Sequence, residues 1–173
     1  MPAHHEIHLE TYLVKQLLEN GWVEGHSKHY DAVRALYPED VVDWIQNSQP
    51  QTWEKLCRLN VSAAEKAVLD RLAKTLAAKT GGTIKVLRQG FDLAGCGNIA
   101  MSQAAPEDQR NSKEVEKYHN NILRVVRQLK YCTTREWAID LVFFINGLPV
   151  ATVELKTDFT QAIDDAIAQY KRD

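Results

Sequence analysis

Between Glu6 and Asn20 the apolar residues Ile7, Leu9, Leu13, Val14, Leu17 and Leu18 fall close to the helical period, and Asn20-Gly21 follows as a stop. This spacing predicts an amphipathic helix. Pro38, with Glu39 and Asp40 behind it, suits the first turn of a second helix that carries Val41, Val42, Trp44 and Ile45 and is stopped by Pro50. A third segment, Gln51 to Leu59, brings Trp53, Leu56 and Leu59 onto one side. Ser62 and Glu65 have the spacing of a capping box, so a long helix is expected from there to about Thr80, with Gly81-Gly82 as its end. Ala64, Val68, Leu69, Leu72, Leu76 and Ala77 keep its helical period.

Beyond Gly82 the texture turns to strands. Thr83 to Leu87 reads as β, Gly90 to Gly97 as turns, and Asn98 to Ser102 as a strand pairing back. Ala104 to Ser112 is polar and reads as a loop. Glu114 to Tyr131 fits two descriptions, because Ile122, Val125, Val126 and Leu129 suit a helix while Arg124 to Tyr131 also suits a strand. A short helix to about His119 followed by a strand is the preferred reading. Trp137 to Ile145 is an apolar strand, Asn146-Gly147-Leu148 its loop, Pro149 to Lys156 a second strand, and Gln161 to Tyr170 a helix with Ala162, Ile163, Ala166, Ile167 and Tyr170 on one face. The expected fold is α/β, a central mixed β-sheet flanked by helices. It forms one domain over 1–173, with a helical half at about 1–82 and a sheet-bearing half at about 83–173.

Composition narrows the function more than the fold. Of the 173 residues 45% are apolar and 25% charged, a globular balance. Lys and Arg number 21 against 23 Asp and Glu, and the net charge of -2 excludes a wholesale basic surface as the basis of function. Local patches remain: Lys113, Lys117, Arg124, Arg127, Lys130 and Arg135 form a strip that suits either phosphate or plain solvent. The apolar stretch Trp137 to Ile145 is far shorter than the roughly 20 residues of a membrane span. His4, His5, Glu6, His8, Glu10 and Lys15 stand where a secretory signal needs an apolar core. No membrane partner is expected. Cys57, Cys96 and Cys132 are odd in number and widely spaced, which fits neither a disulfide framework nor a CxxC metal pair and points to a reducing cytoplasm. The chain stops at Tyr170-Lys171-Arg172-Asp173 without a helix-ending signal, as a segment of a longer protein is expected to.

Three charges need an explanation. Asp140 interrupts the apolar run Ile139 to Phe144, and Glu154 and Lys156 stand at the end of the partner strand, although burying an unpaired charge costs several kcal/mol at order of magnitude. Glu154 and Lys156 are two apart and share a face. Asp140 joins them only if the hairpin register sets it across from Glu154; a strict two-residue Asn-Gly turn sets it across from Val153 instead. The reading therefore requires a three-residue loop, with Ile145 across from Pro149, or an equivalent bulge. Two carboxylates brought together in this way suit a divalent cation with open water positions, Mg²⁺ or Mn²⁺. A buried Glu154–Lys156 ion pair, with Asp140 as an edge residue, suits the same spacing.

Asp140 followed on the paired strand by Glu154-Leu155-Lys156, and then by a helix, resembles the PD-(D/E)XK nuclease core, with Ile139 in the place of the often-present proline. The run Ile139 to Lys156 resembles more particularly the nuclease domain at the N-terminus of type I restriction enzyme R subunits. The Asn146-Gly147-Leu148-Pro149 turn, the Val125-Val126-Arg127-Gln128-Leu129 strand, Trp22 and the turn-rich Gly90 to Ile99 segment extend that resemblance over nearly the whole chain.

The resemblance implies that Asp140 and Glu154 bind metal with the main-chain carbonyl of Leu155, and that Lys156 is the catalytic lysine. Gln169 matches the glutamine of the following helix, but the QxxxY pattern is not kept, because Asp173 stands where its tyrosine belongs and the tyrosine present is Tyr170. An acid on the first helix completes many such sites. Glu6 or Glu10 could serve, and Glu10 is preferred because it follows Leu9, read as core-facing. The implied cofactor is Mg²⁺, with Mn²⁺ as a substitute. ATP would serve motor domains outside this chain, since Gly90, Gly95 and Gly97 are followed by no Gly-Lys-Ser/Thr phosphate loop. The implied function is hydrolysis of double-stranded DNA after ATP-driven translocation, in a complex with modification and specificity subunits. Two alternatives stand beside it: a repair or methylation-dependent nuclease of the same superfamily, and a non-catalytic DNA-binding or assembly module in which Asp140, Glu154 and Lys156 form a structural cluster.

Overall fold

The computed structural model describes residues 2–108 and 110–155. Helix α1 (Pro2–Glu19) follows the first amphipathic pattern, and the short strand β1 (Val23–Gly25) comes directly after its Asn20-Gly21 stop. Helices α2 (Pro38–Ser48) and α3 (Pro50–Asn60) both open on a proline at the start of the helix, where the missing N–H leaves no intrahelical bond unmade. Helix α4 (Ala64–Leu76) is capped by Ala63 without a side-chain bond, so Ser62 and Glu65 do not form the expected capping box, and the helix ends short of Thr80.

The expected strand at Thr83 to Leu87 is a helix, α5 (Thr83–Gln89). In a strand Ile84 and Val86 would share a face, whereas here Ile84 is 67% exposed and Val86 is buried in the helical core. Burying Val86 against α4 overrides the β-propensity of Thr83, Ile84 and Val86. The expected pairing of Asn98 to Ser102 back on that segment is therefore absent, and a shorter hairpin forms instead from β2 (Phe91–Leu93), within the stretch read as turns, and β3 (Gly97–Ile99). Helix α6 (Ser112–His119) and strand β4 (Leu123–Lys130) divide the ambiguous segment as expected.

Strands β4, β5 (Ala138–Ile145) and β6 (Leu148–Val153) pair antiparallel, and β1 adds to β4 in parallel, giving a mixed sheet in the order β1-β4-β5-β6. One face packs Val125, Leu141, Phe143 and Val153 against Leu13, Val14 and Leu17 of α1, with Trp22 edge-on to Phe143 at 5.3 Å. The other face gathers Val126, Leu129, Val142 and Phe144 with Tyr37. Helices α2 to α5 build a separate apolar cluster with the β2–β3 hairpin and meet the sheet at Leu148.

The β5–β6 connection is a two-residue Asn146-Gly147 turn, with Ile145 paired to Leu148 and both turn residues at positive φ, 50° and 81°. Asn146 is fully buried and satisfied: its Oδ1 accepts from Ile122 N–H at 2.7 Å, and its Nδ2 donates to the Met101 carbonyl and Asn121 Oδ1, each at 2.9 Å. Gly147 has no room for a side chain, since a Cβ there would lie 2.5 Å from both the Tyr37 carbonyl oxygen and Val41 Cγ2. Gly147→Ala is expected to cost more than about 1 kcal/mol in urea denaturation, from the positive φ and this clash together. Unchanged stability would contradict the turn described.

Candidate active site at the β4–β5–β6 end of the sheet

A bulge sets the register that the carboxylates require. Phe144 pairs with Pro149 but Phe143 pairs with Ala151, which leaves Val150 as the extra residue, and from there Leu141 pairs with Val153. The three-residue loop is thus not found, and the equivalent bulge does its work. The pairing ends there, and one more step of the same register would set Asp140 across from Glu154. Pro149 beside the bulge is tolerated because β6 is the edge strand of the sheet among the described residues.

Asp140 is half-buried on β5, and Glu154, also half-buried, follows the end of β6. The Leu155 N–H donates to Asp140 Oδ2 at 2.7 Å, a bond that fixes the carboxylate to the strand end bearing Glu154. The other oxygen, Oδ1, accepts from Gln128 Nε2 at 3.1 Å. That same Nε2 donates to Glu10 Oε2 at 2.9 Å, and Arg127 Nε donates to Glu10 Oε1 at 2.6 Å. Glu10 is only 6% exposed, so α1 delivers a buried carboxylate to the sheet one amide away from Asp140. The expectation about its neighbour does not hold: Leu9 is 45% exposed, and the Glu10 side of the helix faces the strands. The Glu10 carboxylate holds the Arg127 guanidinium firmly charged, raising its pKa.

Gln128 was not legible as a site residue. Its backbone sits at φ 46°, and the ladder runs from Arg127–Leu141 directly to Leu129–Ile139, passing over Gln128 and Asp140. Alternation fails at that level in both strands. Val126 and Leu129, three apart, share one cluster, and so do Val142 and Ile139. The strand spacing that let Val125, Val126 and Leu129 pass for a helix is the signal of this break.

The basic strip that suits either phosphate or solvent is largely committed to pairs within the chain. Arg124 makes a two-pronged pair with Asp40, Nε to Oδ2 at 2.7 Å and Nη2 to Oδ1 at 2.6 Å, under the ring of Tyr37, and its side chain is 12% exposed. Lys130 pairs with Glu136, and Arg135 stacks 4.4 Å over Trp137. Lys113 and Lys117 are exposed on α6.

Lys156 and Gln169, and the expected helix from Gln161 to Tyr170, lie outside the described residues. Among the described residues no group of three or more His, Cys, Asp or Glu side chains gathers closely enough to hold a metal. The donor chemistry at Asp140 and Glu154 nevertheless fits Mg²⁺ or Mn²⁺. Such ions keep several waters and need only one or two protein carboxylates, and among the described residues each Asp140 oxygen accepts one N–H bond, which leaves it a lone pair.

The model of the type I restriction enzyme R protein N-terminus matches residues 5–173. The chain belongs to that family. No curated protein and no solved structure matches it. As a type I R-protein N-terminus, the chain has the mixed α/β sheet with flanking helices that its sequence predicts. Its three cysteines are free, and no described helix is long and apolar enough to cross a membrane.

Proposed function

We propose that this R-protein N-terminus is a metal-dependent DNA endonuclease domain that hydrolyses phosphodiesters of double-stranded DNA, with Asp140 and Glu154 as its cation ligands. The observation that carries the reading is the Val150 bulge, which shifts the two-residue hairpin into the register that pairs Leu141 with Val153 and has Asp140 and Glu154 as its next step. The main-chain carbonyl of Leu155 is the further ligand, and Glu10 is the supporting acid from α1. A bound Mg²⁺ or Mn²⁺ supplies Lewis acidity toward the phosphoryl oxygens and a water of lowered pKa.

The chain's own residues do the rest. Asp140 is pinned at both oxygens, by Leu155 N–H and Gln128, so it meets the cation without rearranging. Lys156, two residues beyond Glu154 in the sequence, orients the attacking water and steadies the negative charge that develops on the phosphate. Gln169 assists the reaction. The leaving oxygen departs on the side opposite the water. ATP is used by motor domains elsewhere in the R subunit, which works in the cytoplasm with modification and specificity subunits, and recognition of the DNA sequence lies outside this chain.

Cleavage of circular DNA by the assembled restriction complex in Mg²⁺ and ATP tests the reading. Lys156→Ala is expected to abolish cutting while translocation, read as ATP hydrolysis on the same DNA, continues. Cutting at the wild-type rate by Lys156→Ala would overturn the role given to the lysine. Loss of folding in Lys156→Ala and Glu154→Gln alike would instead identify a structural ionic cluster.

A further inference from the structure

Gln128 is exposed, yet its backbone is the most constrained in β4. Its φ of 46° lies in the left-handed region, which L side chains rarely adopt and which glycine accepts without strain. Packing does not account for this, because the side chain is exposed and makes no part of the apolar clusters on either face of the sheet. The hydrogen bonds do. The two protons on Nε2 reach Glu10 Oε2 at 2.9 Å and Asp140 Oδ1 at 3.1 Å, so one carboxamide ties an acid on α1 to an acid on β5. The left-handed residue lets both Arg127 and Gln128, adjacent in a strand, reach the same carboxylate, which strict alternation forbids.

We propose that Gln128 is the positioning residue of this site: its carboxamide presets the Asp140 carboxylate for a divalent cation and holds Glu10 beside it, and the strained backbone is retained for that purpose. The proposal rests on the nuclease reading above. Gln128 does not touch the cation. It acts through Asp140, as groups that hydrogen-bond to metal ligands do.

Titrating the chain with Mn²⁺ by calorimetry, with thermal unfolding alongside, separates this role from a structural one. Gln128→Ala and Gln128→Gly are both expected to weaken Mn²⁺ affinity by about 10- to 100-fold, the usual effect of losing a partner to a metal ligand. Gln128→Gly, which relieves the positive φ, is expected to melt at or above Gln128→Ala, so stability follows the backbone while affinity follows the carboxamide. If Gln128→Ala does not fold, Gln128→Gly carries the comparison. A folded variant that binds Mn²⁺ as the wild type does overturns the proposal while leaving the nuclease reading intact, provided Asp140→Asn binds none. No saturable heat in the wild type, or undiminished binding by Asp140→Asn, overturns the nuclease reading and the role of Gln128 with it.

Discussion

Asp140→Asn is expected to leave the chain folded and to lower DNA cleavage by the restriction complex by about three orders of magnitude, the equivalent of several kcal/mol of lost transition-state stabilisation. The side chain keeps its shape, and its carbonyl oxygen can still accept the Leu155 N–H that Asp140 Oδ2 accepts at 2.7 Å. What disappears is the charge that the proposed cation needs. The amide also turns a donor toward Gln128 Nε2, itself a donor, so the bond at 3.1 Å is lost. For a half-buried group this local change is expected to cost no more than about 1 kcal/mol of stability. Cutting is read as linearisation of circular DNA, and unfolding by circular dichroism. Wild-type cutting by a folded Asp140→Asn would remove Asp140 from the site.

The largest stability effect is expected far from that carboxylate. Arg124→Ala or Asp40→Ala leaves the partner charge buried, since the Asp40 side chain is 1% exposed and that of Arg124 12%, and each is expected to cost about 3–5 kcal/mol in urea denaturation. Burial pushes the Asp40 carboxyl up against the opposing pull of Arg124, so the pair tolerates separation poorly. Replacing both together, Asp40→Leu with Arg124→Met, is expected to recover most of the loss, because the charges are then absent rather than unpaired. A single substitution that costs less than about 1 kcal/mol would show that water reaches the remaining charge.

The features legible in the sequence were those in which one local signal sufficed. Pro38 and Pro50 marked helix boundaries, and Asn146-Gly147 marked a hairpin whose turn needs positive φ at both positions. Asp140 and Glu154 stood out as charges in apolar strands, and the demand that they face each other called for a three-residue loop or a bulge, of which the hairpin has the bulge. Where tertiary packing decides, local pattern failed. Thr83 to Leu87 has strand-like residues but folds as a helix because Val86 is drawn into the helical core while Ile84 stays in solvent. Ser62 and Glu65 have capping-box spacing, but the chain enters α4 through Ala63 with no side-chain cap. The basic strip read as one surface because sequence does not show that Asp40, eighty-four positions from Arg124, claims its guanidinium.

Gln128 is the instructive omission. A neutral amide in a strand carries no charge to explain, and its importance comes from a backbone conformation that reverses the facing of the next residue. The trace it left was the near-helical spacing of Val125, Val126 and Leu129, which reads as ambiguity between helix and strand when the cause is a strand with one break.

Calorimetric titration of the chain with Mg²⁺, beside the same titration of Asp140→Asn and a melting curve for each, tests the central claim most directly. Saturable heat in the wild type that is absent from a still-folded Asp140→Asn is the predicted result, and it would assign the cation to the Asp140 carboxylate beside the bulged β5–β6 hairpin. Equal heats from the two folded proteins, or none from either, would contradict the account and leave Asp140, Glu10 and Gln128 as a structural hydrogen-bond network.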